Sequence, residues 1–236
     1  MPVEPVTKPG RADPIVPRPA DLRGRARLDV RERTITTAIA YAAHHELAGL
    51  AVGDELELVT DPFPAIVPDV EAWCRATGHE LAEARRGPES WTLTLRKGPP
   101  RKNDRRVAVI VSSDGLEELL SPLAFPLAAA LGGAPAAVYL QGPAVHVLAP
   151  GFEPKLQGLW RPFSRFARAS MERDGHVAPI EKLRQLQELG GSVYACAGSL
   201  AHFRVDPDRL ALEDVIVCEY LTFMEVMQQA DVQLYC

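Results

Sequence analysis

The amino-acid sequence predicts an α/β protein, in which a small βαβαββ two-layer sandwich precedes a doubly wound, mostly parallel five-stranded sheet. The chain has 236 residues, 47% of them apolar, and is longer than one average domain. Short strand-like segments alternate with longer helix-like segments along most of it. A run rich in proline and charge, residues 99–104, interrupts this alternation and predicts a linker between two domains.

The first half repeats the order strand, helix, strand, helix and ends with two strands. Leu56 and Leu58 alternate with charged residues, which is typical of a half-buried strand, and Gly78 stands where a helix C-cap is expected. The predicted strands are 27–30, 54–60, 79–84 and 91–97, and the predicted helices are 36–50 and 66–77. We therefore expect a small domain at residues 26–98.

The second half begins with an apolar, largely β-branched run, residues 106–111, followed by Ser112-Ser113-Asp114-Gly115. This pattern is typical of a strand that is buried on both faces and leads into a helix N-terminus. The further predicted strands are 136–140, 192–196, 214–218 and 232–235, and the predicted helices are 116–131, 180–189 and 220–230. The alternation predicts an open parallel sheet in a domain at residues 105–236.

Two segments fit neither pattern. Residues 1–25 combine many prolines and charges without apolar periodicity, so we expect a disordered tail. Residues 142–175 begin with glycine and proline and then place Trp160, Phe163 and Phe166 at irregular helical spacing. This insertion is either a lid or interaction surface or a packed surface helix.

Composition argues against several classes of protein. A net charge of -5 offers no general attraction for nucleic acid. The long uncharged stretch, residues 121–152, is broken repeatedly by proline and glycine, which disfavours a membrane span. Four cysteines without a Cys-x-x-Cys pair or zinc-like spacing favour a reducing, cytoplasmic location and no metal. A single glycine in the first turn of the second domain, where a dinucleotide loop needs three, leads us to expect no cofactor.

Three of the four cysteines occupy the same kind of position. Cys196, Cys218 and Cys236 each fall at the carboxyl end of a predicted parallel strand, the edge where ligands and catalytic groups gather. A short helix is expected after Cys196, so that its sulfur faces free backbone N–H groups, which favour the thiolate. His202, one or two turns further along, would then act as a proton acceptor or cationic neighbour. The alternative is that these cysteines are inert small hydrophobes and that His202 is a surface residue.

From residue 105 to the end, the chain resembles the DsrE/DsrF-like family, specifically its peroxiredoxin-like branch. The resemblance is carried by the segments VAVIVSSDGLEE, GGSVYACAGSL and VIVCEYLTFMEVMQQADVQLY. It implies that Cys196, in the Tyr-Ala-Cys segment, accepts sulfane sulfur as a persulfide and passes it on. It also implies a doubly wound sheet and a homo-oligomer. Cys218 and Cys236 match no motif of the family.

The first domain resembles the TusA-like (SirA-like) sulfur carriers through LDVR, VGDELELVTDP, VEAWCRATGHEL and WTLTLRK. The Cys-Pro-x-Pro motif of those carriers would fall near residues 33–37, where this chain reads Arg-Thr-Ile-Thr-Thr. Cys74 does not replace the carrier cysteine, because it lies in the middle of a predicted helix beside Trp73 and is expected to pack in the core. The domain is therefore expected to have a docking or regulatory role.

These observations favour a sulfurtransferase-like relay protein in which Cys196 carries the sulfur and Cys218 or Cys236 resolves the persulfide. The expected partners are sulfur donor and acceptor proteins or small persulfides. Two alternatives remain open. One is a non-catalytic interaction or regulatory module of a sulfur-metabolism complex, and the other is a thiol redox sensor, which would need two of the three cysteines close together.

Overall fold

The computed structural model describes residues 25–236, which form two β-sheets with helices packed between and around them. The tail predicted at residues 1–25 lies outside the described residues, except for Arg25, where the first strand begins. The predicted fold class is confirmed: a mixed four-stranded sheet is followed by a parallel five-stranded sheet flanked by helices.

The first sheet has the strand order β1-β2-β4-β3, with β1 parallel to β2 and the other neighbours antiparallel. Its strands are β1 (Arg25–Asp29), β2 (Glu55–Thr60), β3 (Glu80–Arg86) and β4 (Trp91–Arg96), and the helices between them are α1 (Thr36–Ala48) and α2 (Ile66–Thr77). Leu56 and Leu58 alternate with glutamates along β2 and are fully buried in the core that contains α1 and α2. The opposite face of the sheet is polar, and on it Arg96 bridges Glu55 and Glu80.

The second sheet is entirely parallel, with the order β8-β7-β6-β5-β9. Its strands are β5 (Val107–Val111), β6 (Ala136–Leu140), β7 (Ser192–Cys196), β8 (Ile216–Cys218) and β9 (Val232–Tyr235). The helices of this half are α3 (Leu116–Leu131), α4 (Ser164–Arg173), α5 (Pro179–Glu188), α6 (Ala197–Phe203) and α7 (Tyr220–Gln228). β8 begins two residues later than predicted, because Asp214 has a φ of 53° and cannot join an extended strand.

The two faces of the parallel sheet are covered unequally. On one face, Val109, Val138 and Val193 pack in a large core with side chains of α3 and α5. On the other face α7 is the covering helix, and Phe223 is its one buried residue. Leu221 and Met224 face outward, at 86% and 52% exposure, and Val226 and Met227 are only partly buried against the sheet. The face that carries α7 is therefore thinly covered, and it is the face on which the site described below lies.

Helix α3 joins the two halves of the molecule. Its residues Leu119 and Leu123 pack in the core of the parallel sheet, whereas Leu127 and Leu131 pack in the core of the first sheet. The indole N–H of Trp73 donates to the Leu131 carbonyl at 3.0 Å. The predicted linker, residues 99–104, separates the two sheets along the chain and has no regular secondary structure, but the two cores meet on one helix.

The insertion at residues 142–175 forms two 3₁₀ segments, Gly142–Leu148 and Gly158–Phe163, followed by α4. The first segment is buried against the core of the parallel sheet. In the second segment and α4, however, Trp160, Phe163 and Phe166 are exposed rather than packed. This arrangement favours an interaction surface over a packed surface helix.

Candidate thiol site at Cys196

Cys196 is the last residue of β7 and the N-cap of α6, with φ -68° and ψ 117°. Its side chain takes the place of the usual Ser or Asp cap, since the sulfur accepts a hydrogen bond from the Ser199 N–H at 3.3 Å. The residue is 2% exposed. The backbone thus turns from strand to helix at the sulfur, as the sequence predicts.

Several opposing effects set the pKa of the Cys196 thiol. Burial raises it, but hydrogen bonding from the Ser199 side chain, the Tyr139 hydroxyl and the Ser199 N–H outweighs burial, so that the pKa is lowered from its usual value. The Ser199 oxygen accepts from the Gly142 N–H at 2.9 Å, which leaves its own proton free for the sulfur. The thiolate is therefore favoured more than in an ordinary cysteine.

Glu219 brings a carboxylate to the sulfur from the end of the neighbouring strand β8. One oxygen accepts a hydrogen bond from the Gly198 N–H at 2.6 Å, and the other lies 3.8 Å from Sγ of Cys196. A Cβ at position 198 would come within 3.1 Å of the first oxygen, so glycine leaves room for this contact. The negative charge raises the pKa of Cys196. At this distance the same carboxylate can also accept the thiol proton.

Two tyrosines face the sulfur from the thinly covered side of the sheet. Tyr139, on β6, is 1% exposed and stacks on Phe223 of α7, with ring centroids 4.6 Å apart. Burial and the neighbouring Cys196 raise the pKa of Tyr139, so its hydroxyl stays protonated. Tyr220, the first residue of α7, is 59% exposed, and the charge of Cys196 is the main cause that raises its pKa. Both hydroxyls are therefore donors near the sulfur.

Cys218 is the neighbour of Cys196 across the sheet, because the two residues are register partners at the ends of β8 and β7. Adjacent strands lie roughly 4.8 Å apart, which puts the two Cα atoms within the range that a disulfide can bridge. Burial first, and then the charges of Cys196 and Glu219, raise the pKa of Cys218. When Cys196 is a thiolate, Cys218 therefore remains a thiol.

Residues 105–235 match the profile of the DsrE/DsrF-like family. The chain belongs to this family. The resemblance of the second half to the DsrE/DsrF-like family is thereby confirmed, whereas the assignment to the peroxiredoxin-like branch stays a prediction. The family implies a sulfur-relay role in general. The first half lies outside the match, so its likeness to the TusA-like carriers stays a prediction.

Comparisons with solved structures and with curated proteins add little to the family assignment. Among solved structures, the chain is similar to the ychN protein from E. coli at 16% identity and a TM-score of 0.42, over 57% of this chain and 100% of that one. No curated protein matches the chain.

Cys236 is placed far from Cys196. It follows β9, and its backbone is held beside β5 by hydrogen bonds with Ser112 and Ile110. In the strand order, β9 lies three strands away from β7. Three strand spacings amount to roughly 14 Å. All three cysteines therefore lie at the carboxyl ends of the strands, but of the other two only Cys218 is a neighbour of Cys196.

His202 lies in the last turn of α6, whereas Cys196 caps the first turn. It is exposed, and its ring meets the edge of Phe203 at a centroid distance of 4.8 Å. Within residues 25–236, no hydrogen bond joins His202 to the sulfur. Its expected role as a proton acceptor remains a prediction, and Glu219 is the group placed to fill that role.

Sequence reasoning missed Tyr139, Ser199, Glu219 and Tyr220. Glu219 and Tyr220 directly follow Cys218, so the rule that pointed to the cysteines at strand ends could have found them. Ser199 stands at the third position of a helix, which is a weak signal. Tyr139 lies inside an apolar strand, where it is indistinguishable from an ordinary core residue.

Residues 25–236 contain neither a cluster of metal ligands nor a helix that could cross a membrane. In this range, no three or more histidine, cysteine or acidic side chains cluster as a metal site would require. None of the described helices combines the length and apolar character that crossing a membrane demands.

Proposed function

We propose that this chain is a sulfurtransferase-like relay protein in which Cys196 carries sulfane sulfur as a persulfide and passes it to an acceptor thiol. The single observation that carries the proposal is the environment of the Cys196 sulfur. That sulfur accepts a hydrogen bond from the Ser199 N–H and lies 3.8 Å from a carboxylate, and the pKa of the thiol is lowered. These are the conditions that favour a nucleophilic thiolate with a proton acceptor beside it.

The reaction would proceed in two exchanges. In the first, the Cys196 thiolate attacks the sulfane sulfur of a donor persulfide, a new S–S bond forms at Cys196, and the donor leaves as a thiolate. In the second, an acceptor thiolate attacks the outer sulfur of the Cys196 persulfide. The outer sulfur is transferred to the acceptor, and Cys196 is the leaving thiolate. Each step exchanges one S–S bond for another, so neither needs an oxidant or a reductant. Glu219 accepts the proton when the resting thiol ionises.

A second candidate function is a thiol redox sensor, and the register pairing of Cys196 with Cys218 favours it. An oxidant would join these two thiols in a disulfide. The same pair could resolve the persulfide during relay, because the Cys218 sulfur can attack the inner sulfur and release sulfide. Cys236, at the far end of the sheet, would have neither role within one chain.

The partners proposed are a sulfur donor, an acceptor thiol and further copies of this chain, all in the cytoplasm. The exposed apolar side chains around the site support association, because Tyr220, Leu221 and Met224 are each more than half exposed. The TusA-like half has a docking role in this proposal, since it lacks a carrier cysteine. Its loop before α1 is also tied to the other half, where the Asp174 carbonyl accepts from the N–H and hydroxyl of Thr34.

Peptide mass spectrometry after treatment of the reduced protein with inorganic polysulfide tests the relay. We expect one added sulfur on Cys196 in the wild type and none at this site in Cys196→Ser, whereas the matched variant Cys236→Ser should load normally. A Cys196–Cys218 disulfide that forms with peroxide but without sulfur loading would favour the sensor. A protein that shows neither change would be the non-catalytic module.

A further inference from the structure

The hydroxyl of Tyr139 is a poorly satisfied buried polar group, although it lies near enough to the Cys196 sulfur to lower the pKa of that thiol. Its oxygen is inaccessible to water, and no described residue forms a hydrogen bond of ordinary geometry with it. Native proteins satisfy most buried hydroxyls, so an exception at a reactive site calls for an explanation. Of the described side chains that share this condition, Tyr139 is the one beside a reactive sulfur. The others are Thr94, His176 and Gln185.

Packing does not explain the hydroxyl. The Tyr139 ring stacks on Phe223 with an interplanar angle of 13°, and phenylalanine would keep that contact without burying an unmatched polar atom. The hydroxyl instead lies on the side of Cys196, and each group affects the ionisation of the other. The Tyr139 hydroxyl is thus positioned to donate to an acceptor that is stronger than the neutral thiol of Cys196.

We infer that the Tyr139 hydroxyl, with Tyr220 at the outer rim, forms a subsite for the terminal sulfur of a persulfide on Cys196. The inference rests on the proposed function. A persulfide extends the side chain by one S–S bond, about 2 Å. Its negative charge moves to the outer sulfur, which the Ser199 N–H on the inner sulfur does not reach. Tyr139 supplies the missing donor at that outer position.

The same geometry selects the class of sulfur donor. Tyr139 and Cys196, which bound the subsite, are 1% and 2% exposed, and a Glu219 oxygen lies 3.8 Å from the Cys196 sulfur. A thiosulfonate group would add three oxygens to the outer sulfur, at a cost in volume beside two side chains that are almost fully buried. We therefore expect the site to take sulfane sulfur from persulfides or polysulfides in preference to a sulfonate-bearing group from tetrathionate.

The variant Tyr139→Phe tests the subsite, and Tyr194→Phe is the matched control. The Tyr194 ring also contacts Phe223, at 5.2 Å, and the two positions are register partners on adjacent strands. Each protein is loaded with inorganic polysulfide, the donor is removed, and the loss of the Cys196 persulfide is followed by mass spectrometry. We expect Tyr139→Phe to lose the sulfur about tenfold faster, as the removal of one hydrogen bond to a charged group predicts. The Tyr194→Phe control should match the wild type.

The outcomes separate this inference from the function on which it rests. If the wild type takes up no sulfur, the relay fails and the subsite with it. If the wild type loads and Tyr139→Phe holds the persulfide equally long, the relay stands and the subsite is wrong. Tetrathionate treatment provides a second readout, because a thiosulfonate adduct on wild-type Cys196 would overturn the proposed selectivity. Equal thermal unfolding of the two variants would show that both fold.

Discussion

Cys74 and Cys196 are buried to the same degree, each at 2% exposure, yet their pKa values shift in opposite directions. Cys74 lies inside α2, within the core of the first sheet, and burial raises its pKa to about 12. Cys196 lies at the edge of the parallel sheet, where hydrogen-bond donors lower its pKa despite burial. Low exposure alone thus does not make a cysteine inert. The difference lies in whether the surrounding groups can stabilise a negative charge.

The difference also reflects local backbone geometry. A cysteine inside a helix has backbone N–H groups around it that are already bonded to carbonyls one turn earlier. A cysteine at the N-cap faces N–H groups that have no such partner, as the Ser199 N–H shows. Moving the same side chain from the middle of a helix to its start therefore changes a packing residue into a candidate nucleophile.

Alkylation of the folded protein should reveal the largest difference between these two cysteines. At neutral pH we expect iodoacetamide to label Cys196 at least about a thousandfold faster than Cys74, because the thiolate is the reacting form. Peptide mass spectrometry at several reaction times measures both rates in one sample. Labelling in denaturant should equalise them, and comparable rates in the folded protein would contradict the assigned environments.

The raised pKa of Cys74 should also make the stability of the protein depend on pH. Below the ordinary thiol value of 9.0, both the folded and the unfolded states keep the proton, and Cys74 has no effect. Between 9.0 and about 12 only the unfolded thiol ionises, so stability is lost as pH rises. The expected contribution is about 1.4 kcal/mol per pH unit.

Urea unfolding from pH 8.5 to pH 10.5, on the wild type and on Cys74→Ala, measures this contribution. Other groups ionise in the same range, but they do so in both proteins, so the difference between the two curves isolates Cys74. The small cavity in the variant shifts its curve by a constant amount. Parallel curves would mean that the thiol is less enclosed than the structure indicates.

Much of the fold could be predicted because the apolar periodicity is strong. The bounds predicted for α2, α3, β6, β7 and β9 match the structure. β3, in contrast, ends two residues later than predicted. Its pairing with β4 is irregular between Leu81 and Glu83, which no local sequence pattern predicts. The sequence predicts no defined elements in most of the insertion before α5 for a similar reason, since 3₁₀ segments have no distinctive apolar period.

The candidate site was predictable only in part, because strand order is not a local property of the sequence. Cys196, Cys218 and Cys236 look equivalent along the chain, yet the order β8-β7-β6-β5-β9 makes Cys218 a neighbour and leaves Cys236 three strands away. Tyr139 presents the same difficulty. It reaches the sulfur from an adjacent strand, so a pairing that the sequence does not encode locally brings the two together.

The contribution of Glu219 is the smallest effect that we expect to measure, and it separates electrostatics from hydrogen bonding at Cys196. Glu219→Gln keeps an oxygen for the Gly198 N–H but removes the charge that raises the pKa of Cys196. The pKa should fall further, and alkylation at mildly acidic pH should become roughly three- to tenfold faster. Glu225→Gln, an equal charge change at an exposed position on α7, should leave the rate near that of the wild type.

The pH profile of this variant distinguishes two roles of the carboxylate. If Glu219 acts only through its charge, the pH profile of the alkylation rate should shift to lower pH and reach the same maximal rate. If Glu219 also accepts the thiol proton, alkylation and sulfur uptake from polysulfide should both slow below the pKa, since ionisation then requires water as the acceptor. An unchanged profile would mean that solvent screens the 3.8 Å contact, and that the donors alone distinguish Cys196 from Cys74.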